Sequence, residues 1–410
     1  MRFSDWTRLS VVILFQALPA ACQEVVSLSE AVQRAISAHP RLQIAEQRVA
    51  AARGLRRQAG LSPNPTFVFQ QENLRPTPGG TAFWTFTDTF AFLQQAIETG
   101  GKRPRRIDVA AAGIEQAELE LELLRKQIAG NVKAAYWRAA GGRRLRELLL
   151  DIEANFRLTV DYHDVRVREG AAPEVDLLRV QLESERIKLA ASSARLEEEM
   201  ARIGLYRQMG LETIPETVVY DPLELSGDEA PPADADLALE QRTEMKLARL
   251  ALRRAEAELR LQQAGAQPNL TAVGGYKRAA GYDSLLAGLQ FDLPFRSRNQ
   301  GNIEAASARI AGARAELATT AAVVRAEVDA AGKSYGIRRR QLQESLKPMR
   351  QRAAEFARIA QAAYREGGSD LLRLIDAERL RIETETLYYR ALAEYRQSIA
   401  ELELALGVEP

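Results

Sequence analysis

From Ile107 onward an apolar side chain returns every seventh residue: Ile107, Ile114, Leu121, Ile128 and Ala135, with Ala110, Ala117 and Leu124 between them. The spacing recurs at Ile303, Ile310, Leu317, Val324 and Ala331. A repeat of this length is the seam that one helix presents to another. It predicts two very long helices, Arg103–Arg168 and Asn299–Glu366, each roughly 100 Å long at the α-helical rise. Glu, Arg and Gln fill their other faces and suit water. A helix of medium length follows each (Pro173–Gly210 and Asp370–Leu406), and a short one precedes each (Pro40–Gly60 and Glu244–Gly265). At roughly 57 Å and 32 Å, a medium and a short helix stacked end to end would line one long helix.

Between each short and long helix the apolar period changes to two, which marks strands. Strands are expected at residues 65–73, 84–97, 269–278 and 284–293. In the second, Trp84, Phe86, Phe90 and Phe92 share one face and Thr85, Thr87 and Thr89 the other, with Asp88 intruding on the aromatic side. In the fourth, Leu285, Ala287, Leu289, Phe291 and Leu293 lie opposite Gly288, Gln290 and Asp292. One apolar face over about nine residues fits an outer-membrane strand; a half-buried soluble hairpin has the same pattern. Four strands cannot close a barrel, and unpaired strand edges are not tolerated in lipid. In a membrane, several chains would therefore have to contribute.

The order helix, hairpin, long helix, helix occurs twice. QAGLSPNPT at Gln58–Thr66 matches QAGAQPNLT at Gln263–Thr271. The turn Arg168-Glu169-Gly170 returns as Arg365-Glu366-Gly367, and Met209-Gly210 as Leu406-Gly407. Landmarks that keep their order argue for duplication. The chain divides into a first repeat (23–210), a connecting segment (211–236) and a second repeat (237–410), mainly α with a small β part.

Composition narrows the function. The 410 residues include 56 basic and 55 acidic side chains, a net charge of +1 that leaves no electrostatic footprint for nucleic acid. Residues 1–22 read as an export signal: Arg2 and Arg8, the apolar run Leu9–Leu18, then Pro19-Ala20-Ala21-Cys22. Ten apolar residues are too few to span a bilayer as a helix. Cys22 is the single cysteine, so no disulfide forms within the chain. Its position at the cleavage junction points either to lipidation of its thiol or to plain cleavage nearby. Pro19 stands where a lipobox prefers Leu.

Taken together, the layout resembles the TolC family of outer-membrane efflux ducts. The resemblance rests on the duplicated plan, the opening Leu28–Pro40 (LSEAVQRAISAHP), Pro-Asn after each short helix, and the two Gly turns followed by Leu-Leu. Glu98–Arg103 (ETGGKR) is similar to the heavy-metal-efflux, CzcC-like branch. The family implies a homotrimer in which a twelve-strand barrel in outer-membrane lipid continues as a periplasmic α-barrel. It also implies a periplasmic adaptor docked on the tips Arg168, Glu169, Gly170, Arg365, Glu366 and Gly367, and an inner-membrane transporter that supplies energy. The family gate has the pattern V-D-V-L-D-A; this chain has Leu372-Arg373-Leu374-Ile375-Asp376-Ala377, which keeps the second acid and replaces the first with Arg373. Asp376 and Arg373 are thus the expected gate residues, and the substitution leaves the cation preference of that ring open. Heavy-metal cations are the implied cargo; organic drugs or type I protein secretion are alternatives. A soluble periplasmic coiled-coil scaffold or adaptor is the rival of another class.

Catalytic, cofactor and metal constellations are not expected. His39 and His163 lie on different segments without partners at ligand spacing. His39-Pro40 reads as a helix junction, and His163 as a packed or gate-lining residue near the tip. Gly100-Gly101-Lys102-Arg103 lacks the spacing of a phosphate loop and reads as a strand-to-helix turn.

Overall fold

The structure, a computed structural model, describes residues 24–74, 87–225 and 230–408. The export signal, Cys22, Trp84 and Phe86 lie outside the described residues.

Each half is built on one long helical rod. In the first, α1 (Leu28–Ala38) and α2 (Pro40–Ala59) lead into strands β2 (Thr66–Glu72) and β3 (Asp88–Ile97), then α3 (Lys102–Arg168) and α4 (Glu174–Met209). In the second, α5 (Ala235–Gln241) and α6 (Thr243–Gly265) lead into β5 (Leu270–Ala279) and β6 (Tyr282–Phe291). The second rod is α7 (Gln300–Arg340), a π-helical turn (Gln341–Leu346) and α8 (Lys347–Arg365), followed by α9 (Leu371–Leu406).

The second rod was expected to be one continuous helix, and its interruption has a local cause. Pro348 has no N–H to offer the carbonyl four residues back, and its ring crowds that turn. The helix widens, and the Lys347 N–H bonds the Leu342 carbonyl five residues back. Leu342 is fully buried, which anchors the widened turn in the core. The first rod runs without a break.

Short and medium helices do meet end to end. Gly210 closes α4 with φ +73°, and a Cβ there would lie 2.9 Å from the Pro40 ring. His39 caps α2 through Nδ1, which accepts the Arg41 N–H at 3.1 Å. The second half repeats the joint: Gly407 closes α9 with φ +74°, and a Cβ would lie 3.0 Å from Arg242, the residue that precedes α6. Only glycine takes both the left-handed turn and the close approach without strain.

A short belt crosses the rods. β1 (Glu24–Val25) pairs in parallel with β4 (Val218–Val219) of the connecting segment. Tyr136, fully buried on α3, donates its hydroxyl to the Val26 carbonyl at 2.9 Å and accepts the Asp221 N–H at 2.7 Å.

Strands β2, β3, β5 and β6 form one antiparallel sheet in that order. Register puts Phe67, Phe69, Leu93, Tyr276, Leu285, Leu289 and Phe291 on one face. These large side chains are exposed, Leu285 at 90%. The faces of β3 are the reverse of expectation. Phe90 and Phe92 point to the other side, with Gln94, Lys277, Ser284 and Gln290. Two contacts fix them there. Phe92 lies opposite Gly275, where a Cβ would come within 2.4 Å of its Cα, and Lys277 Nζ sits 5.4 Å from the Phe90 ring centre. Asp88 therefore does not mar the apolar face. Its carboxylate accepts from Asn73 Nδ2 (2.7 Å) and the Ala280 N–H (2.8 Å) at the end of the sheet. No helix among the described residues is long and apolar enough to cross a membrane, which says nothing of the strands.

At the opposite end of the sheet Gly100 and Gly101 take φ +68° and +72° and turn the chain into α3. Arg106 locks the corner, donating to both Glu98 oxygens (2.5 and 3.1 Å) and to the Ala59 carbonyl (2.9 Å).

Candidate functional site

The two REG turns have the same backbone. After α3 the Gly170 N–H bonds the Val167 carbonyl and Ala171 N–H the Arg166 carbonyl; after α8 Gly367 bonds Tyr364 and Gly368 bonds Ala363. Gly170 and Gly367 have φ of +71° and +76°. A helix reversed in this way satisfies its last carbonyls within five residues and frees the chain to return antiparallel. Arg168, Glu169, Arg365 and Glu366 are exposed on the turns. Arg168 pairs with Asp164 at 2.6 Å.

Behind the turns two contacts tie the halves together. His163 of α3 is 1% exposed. Its Nε2 lies 3.1 Å from the hydroxyl of Tyr364, one residue before the second turn, and Arg166 Nη1 donates to the same hydroxyl at 3.4 Å. His163 Nδ1 is buried without a partner among the described residues. Burial, reinforced by the Arg166 charge and opposed by Asp176, holds the imidazole below its usual range. It is therefore neutral at pH 7. Deeper in the helices, Glu183 of α4 is 4% exposed and accepts from Arg379 of α9 at 2.5 and 2.9 Å. Neither contact was legible in the sequence, because each joins residues about two hundred positions apart.

The expected gate residues sit on the first turns of α9. Asp370 caps this helix, its carboxylate accepting the Arg373 N–H at 3.0 Å. Leu371, Leu374 and Ile375 are buried in the core, which turns Arg373 and Asp376 outward, both exposed. Among the described residues the Arg373 and Asp376 side chains form no ion pair with each other. Asp376 instead acts on Arg379, one turn further along α9, whose pKa is raised chiefly by its hydrogen bond to Glu183. Among the described residues no group of three or more His, Cys, Asp or Glu could hold a metal ion.

An unanticipated feature is an apolar stripe on α4. Val175, Leu182, Leu189, Leu196 and Ile203 recur every seven residues and all are exposed, Leu182 at 73% and Leu189 at 69%. The opposite side of α4 carries Val180, Ile187, Ala191 and Ala194 into the core against α3. A second seven-residue seam is the pattern one helix presents to another.

The family model for the outer membrane efflux protein matches residues 31–211 and 235–408, which leaves out only the connecting segment and the ends. The chain belongs to the outer membrane efflux protein family. Members curated for metal resistance are similar along much of their length. The nickel-cobalt-cadmium resistance protein NccC of Alcaligenes xylosoxydans xylosoxydans is 27% identical over 322 residues, 76% of this chain and 70% of that one. The cobalt-zinc-cadmium resistance protein CzcC of Cupriavidus metallidurans is 23% identical over 406 residues, 98% and 94% of the two chains. The Campylobacter jejuni CmeC outer membrane channel shares the fold, with a TM-score of 0.78, 17% identity, and coverage of 93% of this chain and 85% of that one. Membership makes this an outer-membrane efflux channel. The soluble scaffold reading is thereby replaced.

Proposed function

We propose that the protein is the passive exit duct of a tripartite heavy-metal efflux system. It works as a homotrimer, with twelve strands closing a barrel in outer-membrane lipid. The observation that carries this reading is the open four-stranded sheet. One face bears an apolar band, and among the described residues its edge strands β2 and β6 have no further strand partner. Backbone amides at such edges must be paired in lipid, and a ring of copies pairs them. The exposed seam of α4 supports the same assembly, since it offers the next chain a helix contact below the barrel.

The turns at Arg168–Gly170 and Arg365–Gly367 then form the periplasmic tips, where a periplasmic adaptor docks and leads on to an inner-membrane transporter. Asp376 and Arg373 line the aperture beside them. Three Asp376 carboxylates in a narrow ring attract cations, and three Arg373 guanidinium groups one turn away moderate that attraction. The cargo is proposed as divalent metal cations because curated relatives are named for cobalt, zinc, cadmium and nickel resistance. The first 22 residues are the export signal, with Cys22 the candidate for acylation.

Deletion of the gene and growth on graded cobalt, nickel, zinc and cadmium tests the cargo. Several-fold lower inhibitory concentrations, restored by the intact gene, are expected. Unchanged metal tolerance with new sensitivity to organic drugs, or with loss of a secreted protein, would replace metals by that cargo.

A further inference from the structure

Midway along the rods, a groove of about 510 Å³ opens between α3, α9, the start of α8 and the connecting segment. Its floor is two adjacent tyrosines, Tyr388 and Tyr389, both more than nine-tenths buried. Arg144 donates to the Tyr389 hydroxyl at 3.1 Å and Arg350 donates to the same oxygen at 3.2 Å. Arg144 also lies 4.8 Å over the Tyr389 ring, and Arg350 the same distance over the Tyr388 ring. Lys347 stands at the rim.

This arrangement is electrostatically incomplete. Two guanidinium groups converge on one neutral oxygen, so their like charges are held within a few ångströms of each other at a cost. Arg144 has Glu147 at 3.8 Å, but that carboxylate belongs chiefly to Arg143 at 2.8 Å. Among the described residues neither Arg350 nor Lys347 has a carboxylate within ion-pair distance. The Tyr389 oxygen accepts both guanidinium bonds, so its remaining capacity is its own proton. Three cations therefore line a single space, and the carboxylates acting on Arg144, Glu147 and Asp151, belong to its own helix rather than to the groove. The wall opposite is apolar, formed by Leu223 and Leu225. Glu224 is the one acid on the lining, and Arg396 holds its backbone carbonyl.

We propose that this groove binds an organic anion. Its carboxylate or phosphate group would sit among Arg144, Arg350, Lys347 and the Tyr389 hydroxyl, with an apolar body on Leu223 and Leu225. The site goes beyond the duct reading and does not depend on it. Arg144 lies roughly 60 Å along α3 from the end that joins the sheet, so the anion comes from an aqueous compartment.

The test is calorimetric titration of the purified full-length protein in detergent with N-acetylleucine, its uncharged methyl ester and inorganic phosphate. The acid should bind and the ester should not. Arg350→Gln and Lys347→Gln should each weaken the acid about ten-fold, as loss of a charge-assisted bond predicts. Glu224→Gln should tighten binding, and Arg352→Gln, exposed on the same helix, should leave it unchanged. Thermal melts confirm that each variant is folded, and Lys347→Gln at the rim retains the test if Arg350→Gln is not. Phosphate binding as tightly as the acid assigns the site to a free oxyanion; weaker phosphate assigns it to an anion with an apolar body. Equal binding of acid and ester, or wild-type affinity in both variants, would overturn the proposal.

Discussion

At His163 the fold favours the neutral imidazole over the charged one. Its folded pKa is held below 6.5 by burial and by Arg166, with Asp176 opposing, while Tyr364 faces it from α8 as a hydroxyl that burial keeps protonated. Well above pH 6.5 neither the folded nor the unfolded state takes a proton there, so its contribution to stability is fully present. As pH falls from 6.5 toward the lowered folded value, the unfolded state gains the proton first. Stability then declines by up to about 1.4 kcal/mol per pH unit. The contact nearest both turns should loosen first. Between pH 7.5 and 5.5, hydrogen exchange at residues 165–171, corrected for intrinsic rate, should rise in the wild type; His163→Gln, which keeps a hydrogen bond without a titrating ring, should abolish that rise. Equal pH dependence in the two proteins would assign the loosening to another group. From sequence, His163 was readable as a packed residue near the tip because it follows an apolar register. Its partner was not, since nothing local in either segment encodes which turn lies beside which.

Among the elements, the rods could be read closely because their seven-residue periods run over many turns, and the medium helices because the repeated REG turns and Gly210 and Gly407 bound them. The interruption at Gln341–Leu346 could have been read from Pro348, but the surrounding heptads argued for continuity. β3 misled because its aromatic residues suggested the apolar face. Phe90 and Phe92 are apolar, yet pairing against Gly275 and Lys277 decides their side, and pairing is a property of two strands. The α4 stripe was present in the sequence at Val175, Leu182, Leu189, Leu196 and Ile203, hidden beside the seam that faces α3. Each of these leucines, once covered by a second chain, contributes about 1.5–3 kcal/mol, and a buried carboxylate there costs more than that gain. Leu182→Glu with Leu189→Glu should leave helix content by circular dichroism near wild type and reduce the trimer to monomer by light scattering. An intact trimer would show that the stripe faces something other than a second copy.

On the scale of the whole molecule, the duplicated plan was accessible because matched landmarks recur in order, and the rod dimensions followed from helix rise alone. The twelve-strand barrel was expected from the family resemblance alone, and the proposed closure depends on copies that one chain does not display. A trimer closed through β2 and β6 should migrate in unheated outer-membrane fractions as a compact oligomer that boiling converts to monomer. Release of the chain without detergent would contradict that closure. The two halves are alike but not identical, because α3 is continuous and its counterpart is broken at the π turn. In the proposed trimer this alternation would make six hairpins of two kinds, one with a continuous rod and one with the π turn. A ligand that recognises one kind saturates at three per ring, and filling all six requires it to accept both shapes, with two affinities rather than one.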